Sequence, residues 1–187
     1  HEFISNRAQG FAYEPIIASG KSSCVLHYTD NNKQCKEGDI LLLDIGAEYA
    51  NYDADLSRTI PVNGKYSKRQ KDVYNAVLRV QKASIEMLKP GTILQKYHTE
   101  VGLLMQDELL KLKLIDKADI KNQDPKWPAF KRYFMHGTSH FLGLDTHDVG
   151  NWDIPMQEGN VFTCEPGIYI QEEGIGIRIE DDILLTK

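Results

Sequence analysis

The chain has 187 residues, enough for one domain of ordinary size or two tightly packed halves. Its 22 Lys and Arg against 27 Asp and Glu give a formal net charge of -5, with 41% hydrophobic and 26% charged residues, a balance that excludes disorder and collagen-like repeats. The longest unbroken apolar run, Ile40 to Leu43, is far too short to span a bilayer, and an acidic chain without a Lys/Arg block is unsuited to nucleic-acid backbones, so neither a membrane nor nucleic acid is expected as a partner.

Three cysteines (Cys24, Cys35, Cys164) without a CxxC pair suggest neither a disulfide framework nor a zinc knuckle. They point to a reducing compartment, and with no visible secretory signal the expected location is cytoplasmic. The first residue is His1 rather than Met, so the chain is expected to be processed or cut from something longer.

In chain order, Asp39 to Val62 reads as strand, turn, strand, with Ile40 to Leu43 as a buried strand core interrupted at Gly46. Residues 67 to 88 read as a helix, opened by the capping box Ser67/Gln70 and ended by Pro90-Gly91. Thr92/Gln95 repeats that signature before a second helix running to about Leu112, with Ile93, Tyr97, Val101 and Leu104 on one face. Residues 116 to 130, polar and with two prolines, read as a surface loop. Val161 to Ile170 and Ile175 to Leu185 read as two strands. The order predicts an α+β fold with helices on one face of a largely antiparallel sheet.

Two hairpins carry opposed acids. Asp44 and Asp55 would face each other across a turn centred between Tyr49 and Ala50, and Glu165 and Glu180 across one centred between Glu172 and Glu173. Asp44-Ile45-Gly46-Ala47 and Glu165-Pro166-Gly167-Ile168 share an acid-spacer-Gly pattern that hints at duplication. Like charges opposed in a sheet are destabilising. Spacing alone leaves three remedies open: exposure to solvent, pairing with Arg58 or Arg178, or metal. The apolar neighbours argue against exposure, and one Arg cannot neutralise four carboxylates. Two divalent cations can, and carboxylates with an imidazole suit Mn²⁺, Co²⁺, Fe²⁺ or Zn²⁺, paired at ~3.5–4 Å where they activate a shared water.

His136, His140 and His147 fall within twelve residues. Gly137 weakens a helical reading of the first two, and the Glu of a His-Glu-x-x-His zinc motif is absent. His98, between Lys96 and Glu100 in a regular helix, reads as a surface residue, and His27 has no local ligand spacing. No Gly-x-Ser-x-Gly elbow or Walker loop is present, and Cys164 in an apolar strand reads as an inert thiol.

Five blocks now stand together: Leu43-Asp44-Ile45-Gly46, Asp53 to Thr59, His136 to Asp148, Thr163 to Gly167, and Gly176 to Asp181. In order and spacing they resemble the M24-type metallopeptidases that include aminopeptidase P and prolidase, from about Tyr13 onward. The resemblance implies the pita-bread fold, two pseudo-symmetric α+β halves around a curved antiparallel sheet with helices on its outer face. It implies a dinuclear site, with Mn²⁺ expected and Co²⁺ or Zn²⁺ as alternatives. Asp44 would ligate one metal, His140 and Glu165 the other, and Asp55 and Glu180 would bridge. His27, His136 and His147 match the family's substrate-side histidines, and Arg178 an arginine near the site. Ser139 before His140 looks more like aminopeptidase P than prolidase.

The implied reaction is hydrolysis of the bond after the first residue when proline follows, by a hydroxide bridging the metals. Glu165 would be general base, His147 with His27 would stabilise the oxyanion, and His136 with Arg178 would shape the proline pocket. A prolidase, or a pita-bread module that binds peptides without cleaving them, are the alternatives. The family's domain begins with helices upstream of a segment like His1-Glu2-Phe3. Residues 1–187 are therefore expected to be a catalytic domain cut short at its N-terminus, from a parent expected to be a homo-oligomer.

Overall fold

A computed structural model describes all residues, 1–187. A single helical turn, α1 (Glu2–Ser5), precedes two short strands, β1 (Gly10–Phe11) and β2 (Ile16–Ser19), and a 3-10 turn at Gly20–Cys24. The first hairpin comprises β3 (Ile40–Asp44), β4 (Ala47–Tyr49), β5 (Tyr52–Asp53) and β6 (Ser57–Pro61). Helices α2 (Lys68–Met87), α3 (Leu94–Lys111) and the short α4 (Lys117–Lys121) follow. The second hairpin is β7 (Val161–Cys164), β8 (Gly167–Ile170), β9 (Ile175–Arg178) and β10 (Asp181–Leu184). Every strand pair is antiparallel, so the α+β architecture is as expected.

Each predicted long strand is broken in two, and the breaks fall at the acids. In the first hairpin the ladder lapses at Ile45-Gly46 and at Ala54 to Leu56; in the second it lapses at Glu165-Pro166 and Ile179-Glu180. Pro166 cannot donate to a ladder, which accounts for one break. At Gly46 the chains approach so closely that a Cβ would lie 1.8 Å from the Ala54 carbonyl oxygen.

The second hairpin has the predicted register, since Gly167 pairs with Arg178 and Cys164 with Asp181, which brings Glu165 abreast of Glu180. The first differs. Asp44 pairs with Ser57, not Asp55, because the turn is centred on Ala50 and Asn51, both at positive φ (53° and 66°). These values suit the tight type I′ turn of a two-residue hairpin. Asp55 therefore sits two positions from Ser57, on the same face as Asp44 and displaced along it.

The halves join at β6 and β9. Arg178 N donates to Thr59 Oγ1 (3.2 Å), Thr59 Oγ1 donates to Arg178 O (3.1 Å), and Glu180 N donates to Ser57 O (3.1 Å). The main core lies on one side, where Val73, Val77 and Val80 of α2 and Tyr97, Val101 and Met105 of α3 meet Ile168, Ile170 and Ile177. Tyr169, on the other face of β8, packs with Ile16, Ala18 and Leu42. The second hairpin is thus covered on both faces, and the acids at its break have little direct access to water.

The Ser67 capping box forms as predicted, with Gln70 N donating to Ser67 Oγ (3.2 Å) and Ser67 N to Gln70 Oε1 (2.8 Å). The Thr92 box does not. Thr92 Oγ1 donates instead to Met87 O at the end of α2 (3.1 Å), and α3 starts from Ile93 without a side-chain cap. The expected loop 116–130 contains α4, capped by Asp116 and Asp119. Both caps are aspartates, outside the Ser/Thr–Glu/Gln pattern.

Candidate metal centre

Arg178 is the hub from which the site is built. It is only 4% exposed and projects from the end of β9 between the halves. Its Nη2 donates to Asp44 Oδ2 (2.5 Å), its Nη1 to the Tyr169 hydroxyl (2.9 Å) and its Nε to Ser57 Oγ (2.8 Å). Each contact passes on. Ser57 Oγ donates to Glu180 Oε2 (2.7 Å), and the Tyr169 hydroxyl, its acceptor side taken by Arg178, donates to His136 Nε2 (2.8 Å). One guanidinium thereby orients an acid from each half and a histidine from the 133–160 segment. Its own proton is held more tightly than usual: burial opposes this, but Tyr169, Asp44 and Glu180 outweigh it.

Tyr13 anchors the other side. Its hydroxyl lies 2.5 Å from Asp44 Oδ1 and 2.7 Å from Asp55 Oδ1. Burial, then the two carboxylates, push that hydroxyl far above the ordinary tyrosine range, so it stays protonated and can only donate one proton between two acceptors. Asp55 is tied across the halves as well, its N–H donating to Asp182 Oδ2 (3.2 Å). Burial lifts the Asp182 carboxyl to about 6.

His140 shows what is lacking. Its Nδ1 faces the Phe141 carbonyl (2.9 Å), which can only accept, so Nδ1 carries the proton. Nε2 then points its lone pair at Asp55 Oδ2 and Glu165 Oε1, each 3.5 Å away. A lone pair facing two carboxylates is repulsive unless a positive charge stands there, whether a proton or a cation. Burial favours the neutral imidazole, but Asp55 and Glu165 outweigh it and raise its proton affinity. Ligand atoms of Asp55, His140 and Glu180 all lie within 4.8 Å of one another.

The carboxylates tell the same story. Burial pushes the Asp44 carboxyl up despite Arg178. Burial lifts Glu165 to about 7, against the pull of His140 and Arg178. Glu180 rises well above the usual range, through burial and then through Glu165, Asp55 and Asp44. Ionised together beside one guanidinium, the four carboxylates would carry three net negative charges in a cluster where Asp44, Asp55 and Glu180 are at most 7% exposed. Such a set is costly without cations. Hard oxygen donors with one imidazole, whose other nitrogen is fixed by a backbone carbonyl, are the donor chemistry of divalent metals.

All nine sequence-predicted residues line a single cavity of about 500 Å³: Asp44, Asp55, Glu165, Glu180, His140, His27, His136, His147 and Arg178. His27 and His147 are exposed at its mouth, and the His147 ring stands edge-on to His140 with centroids 4.5 Å apart. His136 is half-buried, with Nδ1 against Gly137 O (2.6 Å) and its other nitrogen held by Tyr169. Burial and Arg178 lower its pKa to about 3, so it is a neutral ring with both nitrogens engaged. His98 is not the surface residue its neighbours suggest. It is half-buried, lies 3.0 Å from Ser139 O, stands edge-on to Trp152 and lines the cavity. Cys164 is fully buried beside Tyr97, and burial lifts its thiol to about 12, the inert state expected.

Tyr13, Tyr169 and His98 escaped the sequence reading. Tyr13 stands 31 and 42 residues from the acids it bridges, so no local spacing could reveal it. Tyr169, four residues after Glu165 in an apolar strand, looks like core.

The profile of metallopeptidase family M24 matches residues 1–187. A Haemophilus influenzae protein named Xaa-Pro aminopeptidase is 41% identical, the match covering 100% of this chain and 46% of that protein. The Escherichia coli Xaa-Pro aminopeptidase is also 41% identical, with 45% of it covered. Among solved structures, zinc-substituted Escherichia coli aminopeptidase P in complex with product matches at a TM-score of 0.91 and 40% identity, over 100% of this chain and 44% of that one. The chain spans less than half the length of these relatives. No helix is long and apolar enough to cross a membrane. A family match over every residue, agreeing with the acidic cavity in which both hairpins meet, places this chain in metallopeptidase family M24.

Proposed function

We propose that this chain is the catalytic part of a metal-dependent aminopeptidase that releases a first residue followed by proline. The observation that carries this is the convergence of four acids and His140 in one shielded cavity with a single counter-charge. The names of its relatives support the Xaa-Pro specificity. Asp44, Asp55, His140, Glu165 and Glu180 would hold two divalent cations, Mn²⁺ before Co²⁺ or Zn²⁺. Such metals supply Lewis acidity, polarising a carbonyl and lowering the pKa of water.

The chain's own groups do the rest. Glu165 sits between His140 Nε2 (3.5 Å) and His136 Nδ1 (3.7 Å), facing the cavity, and is placed to take a proton from the attacking water and return it to the leaving nitrogen. His147, free at the cavity mouth, donates to the carbonyl oxygen as negative charge develops there, with His27 beside it. His136 presents a neutral ring fixed by Tyr169 and Arg178, a wall for the proline ring rather than a proton carrier. The exposed free thiol of Cys35 is compatible with the reducing, cytoplasmic setting we infer.

The test is metal content together with release of the first residue from Ala-Pro peptides, with and without Mn²⁺. We expect about two equivalents of divalent metal and Mn²⁺-dependent cleavage. Asp55→Ala should lower kcat by at least ~10³-fold, because a shared ligand and a preorganised charge are lost together. Full activity in a chelated sample, or in Asp55→Ala, would refute the mechanism.

A further inference from the structure

A second cavity of about 480 Å³ opens from the first. The two share His98, His136, Gly137 and Trp152 in their walls, so the groove begins where the reaction cavity ends. It runs between the outer face of α3 and the segment 123–131. Its floor carries exposed apolar surface, with Leu103 54% and Trp152 47% accessible. In an acidic chain, no Asp or Glu lines it. Its charges are Lys126 and Lys131, and neither takes part in a salt bridge. The Lys131 ammonium rests over the Trp127 ring at 5.2 Å, which restrains it.

The opposite end of the cleft has the reverse polarity. There Asp44, Asp55 and Glu14 line a smaller space with His27 and His147. A peptide has an ammonium at one end and a carboxylate at the other. With cations offsetting Asp44 and Asp55, Glu14 is the acid left free at that end, so the field along the cleft favours one orientation, with the amino terminus toward Glu14 and the metal ligands and the rest of the chain toward the lysines. An enzyme that removes a single residue leaves every later residue on that far side.

We propose that the groove between α3 and residues 123–131 is a binding site for the substrate beyond its proline, selecting peptides that carry carboxylates there. The inference rests on the peptidase reading above. Gln95, Thr99 and Gln106 along α3 offer hydrogen bonds to an extended backbone. The carboxylate could be an acidic side chain or the free terminus of a short peptide, and the two are separable by experiment.

The experiment uses the full-length protein loaded with Mn²⁺ and three peptides, Ala-Pro-Ala-Ala, Ala-Pro-Glu-Glu and Ala-Pro-Lys-Lys, each as free acid and as C-terminal amide. The acidic peptide should have a KM about five-fold below the neutral one and the basic peptide a higher one, the scale of one or two exposed charge pairs. The preference should shrink in high salt and fall to about one in Lys126→Ala/Lys131→Ala. A preference that survives in the Glu amide assigns recognition to side chains; one confined to free acids assigns it to the terminus. Equal KM values for all three peptides, or a preference unchanged in the double variant, would overturn the groove while leaving the peptidase reading intact. If none is cleaved, the peptidase reading fails, and equilibrium binding of the same peptides still decides the groove by the same ordering.

Discussion

At the scale of single residues, the site is held by hydroxyls as much as by charges. Tyr13 spans Asp44 and Asp55, and Tyr169 spans Arg178 and His136. Removing the Tyr13 hydroxyl leaves Asp44 held by Arg178 alone and frees the Asp55 carboxylate to rotate away from their common centre. Tyr13→Phe should therefore weaken Mn²⁺ binding by about 10–100-fold, the usual cost of losing a group that orients a ligand. Isothermal titration with Mn²⁺ measures it, and an unchanged Kd would show that packing alone holds the two acids. Of the nine residues read from the sequence, Asp44 and Glu165 stood out as acids one spacer before a glycine, Asp55 and Glu180 as their counterparts across each hairpin, His136, His140 and His147 as three histidines within twelve residues and Arg178 as a possible counter-charge, while His27 had no local signal and came only with the family resemblance. Tyr13 was not legible, because its role exists only after the segment before β2 folds over the first hairpin. His98 was misjudged for the same reason. Its helical neighbours are charged, but Ser139 and Trp152 arrive from elsewhere and enclose it.

At the scale of elements, the broken strand is the device that makes a site. A continuous ladder would send alternate side chains to opposite faces and leave the acids flush with their neighbours. The lapses at Ile45-Gly46 and Glu165-Pro166 instead let carboxylates from both hairpins turn into one space. Gly46 is the tightest point of the first lapse, where an added methyl would collide with the Ala54 carbonyl. Gly46→Ala should cost about 3 kcal/mol in urea unfolding, the upper range for overpacking. Gly10→Ala, with no atom within 4 Å of the added carbon, should fall within about 0.5 kcal/mol of the parent. Equal stability of the two variants would mean the first hairpin can shift at no cost. The second hairpin's register was readable because Gly174, at φ 64°, marks its turn. The first was misread by two positions, since Ala50 and Asn51 adopt positive φ without a glycine to announce it, a conformation uncommon for other residues.

At the scale of the whole molecule, the two halves are joined through a concentration of like charge. The overall charge of -5 is mild, yet four carboxylates crowd about one guanidinium at the seam between β6 and β9, where burial and crowding hold Asp44, Glu165 and Glu180 above the usual carboxylate range. Hydrogen bonds from Thr59 and Ser57 hold that seam, while the acids on either side of it repel. The fold thus gives up stability for a binding site, and metal should return it. With Mn²⁺ at a hundred times its Kd, linkage supplies about 2.7 kcal/mol. In a chain of this size that raises Tm by roughly 5–10 °C, and EDTA reverses it. A variant separates the two effects. Glu180→Gln keeps the shape and the Ser57 contact but removes a carboxyl whose ionised form burial and the neighbouring acids disfavour, so its metal-free form should melt above the metal-free parent, by a margin that grows as pH rises. The same variant should lose most of the Mn²⁺-dependent gain, having given up a ligand. Differential scanning calorimetry with and without Mn²⁺ reads both. If Glu180→Gln is less stable than the parent without metal, charge repulsion is not what the seam endures, and the acids are balanced by the protein alone.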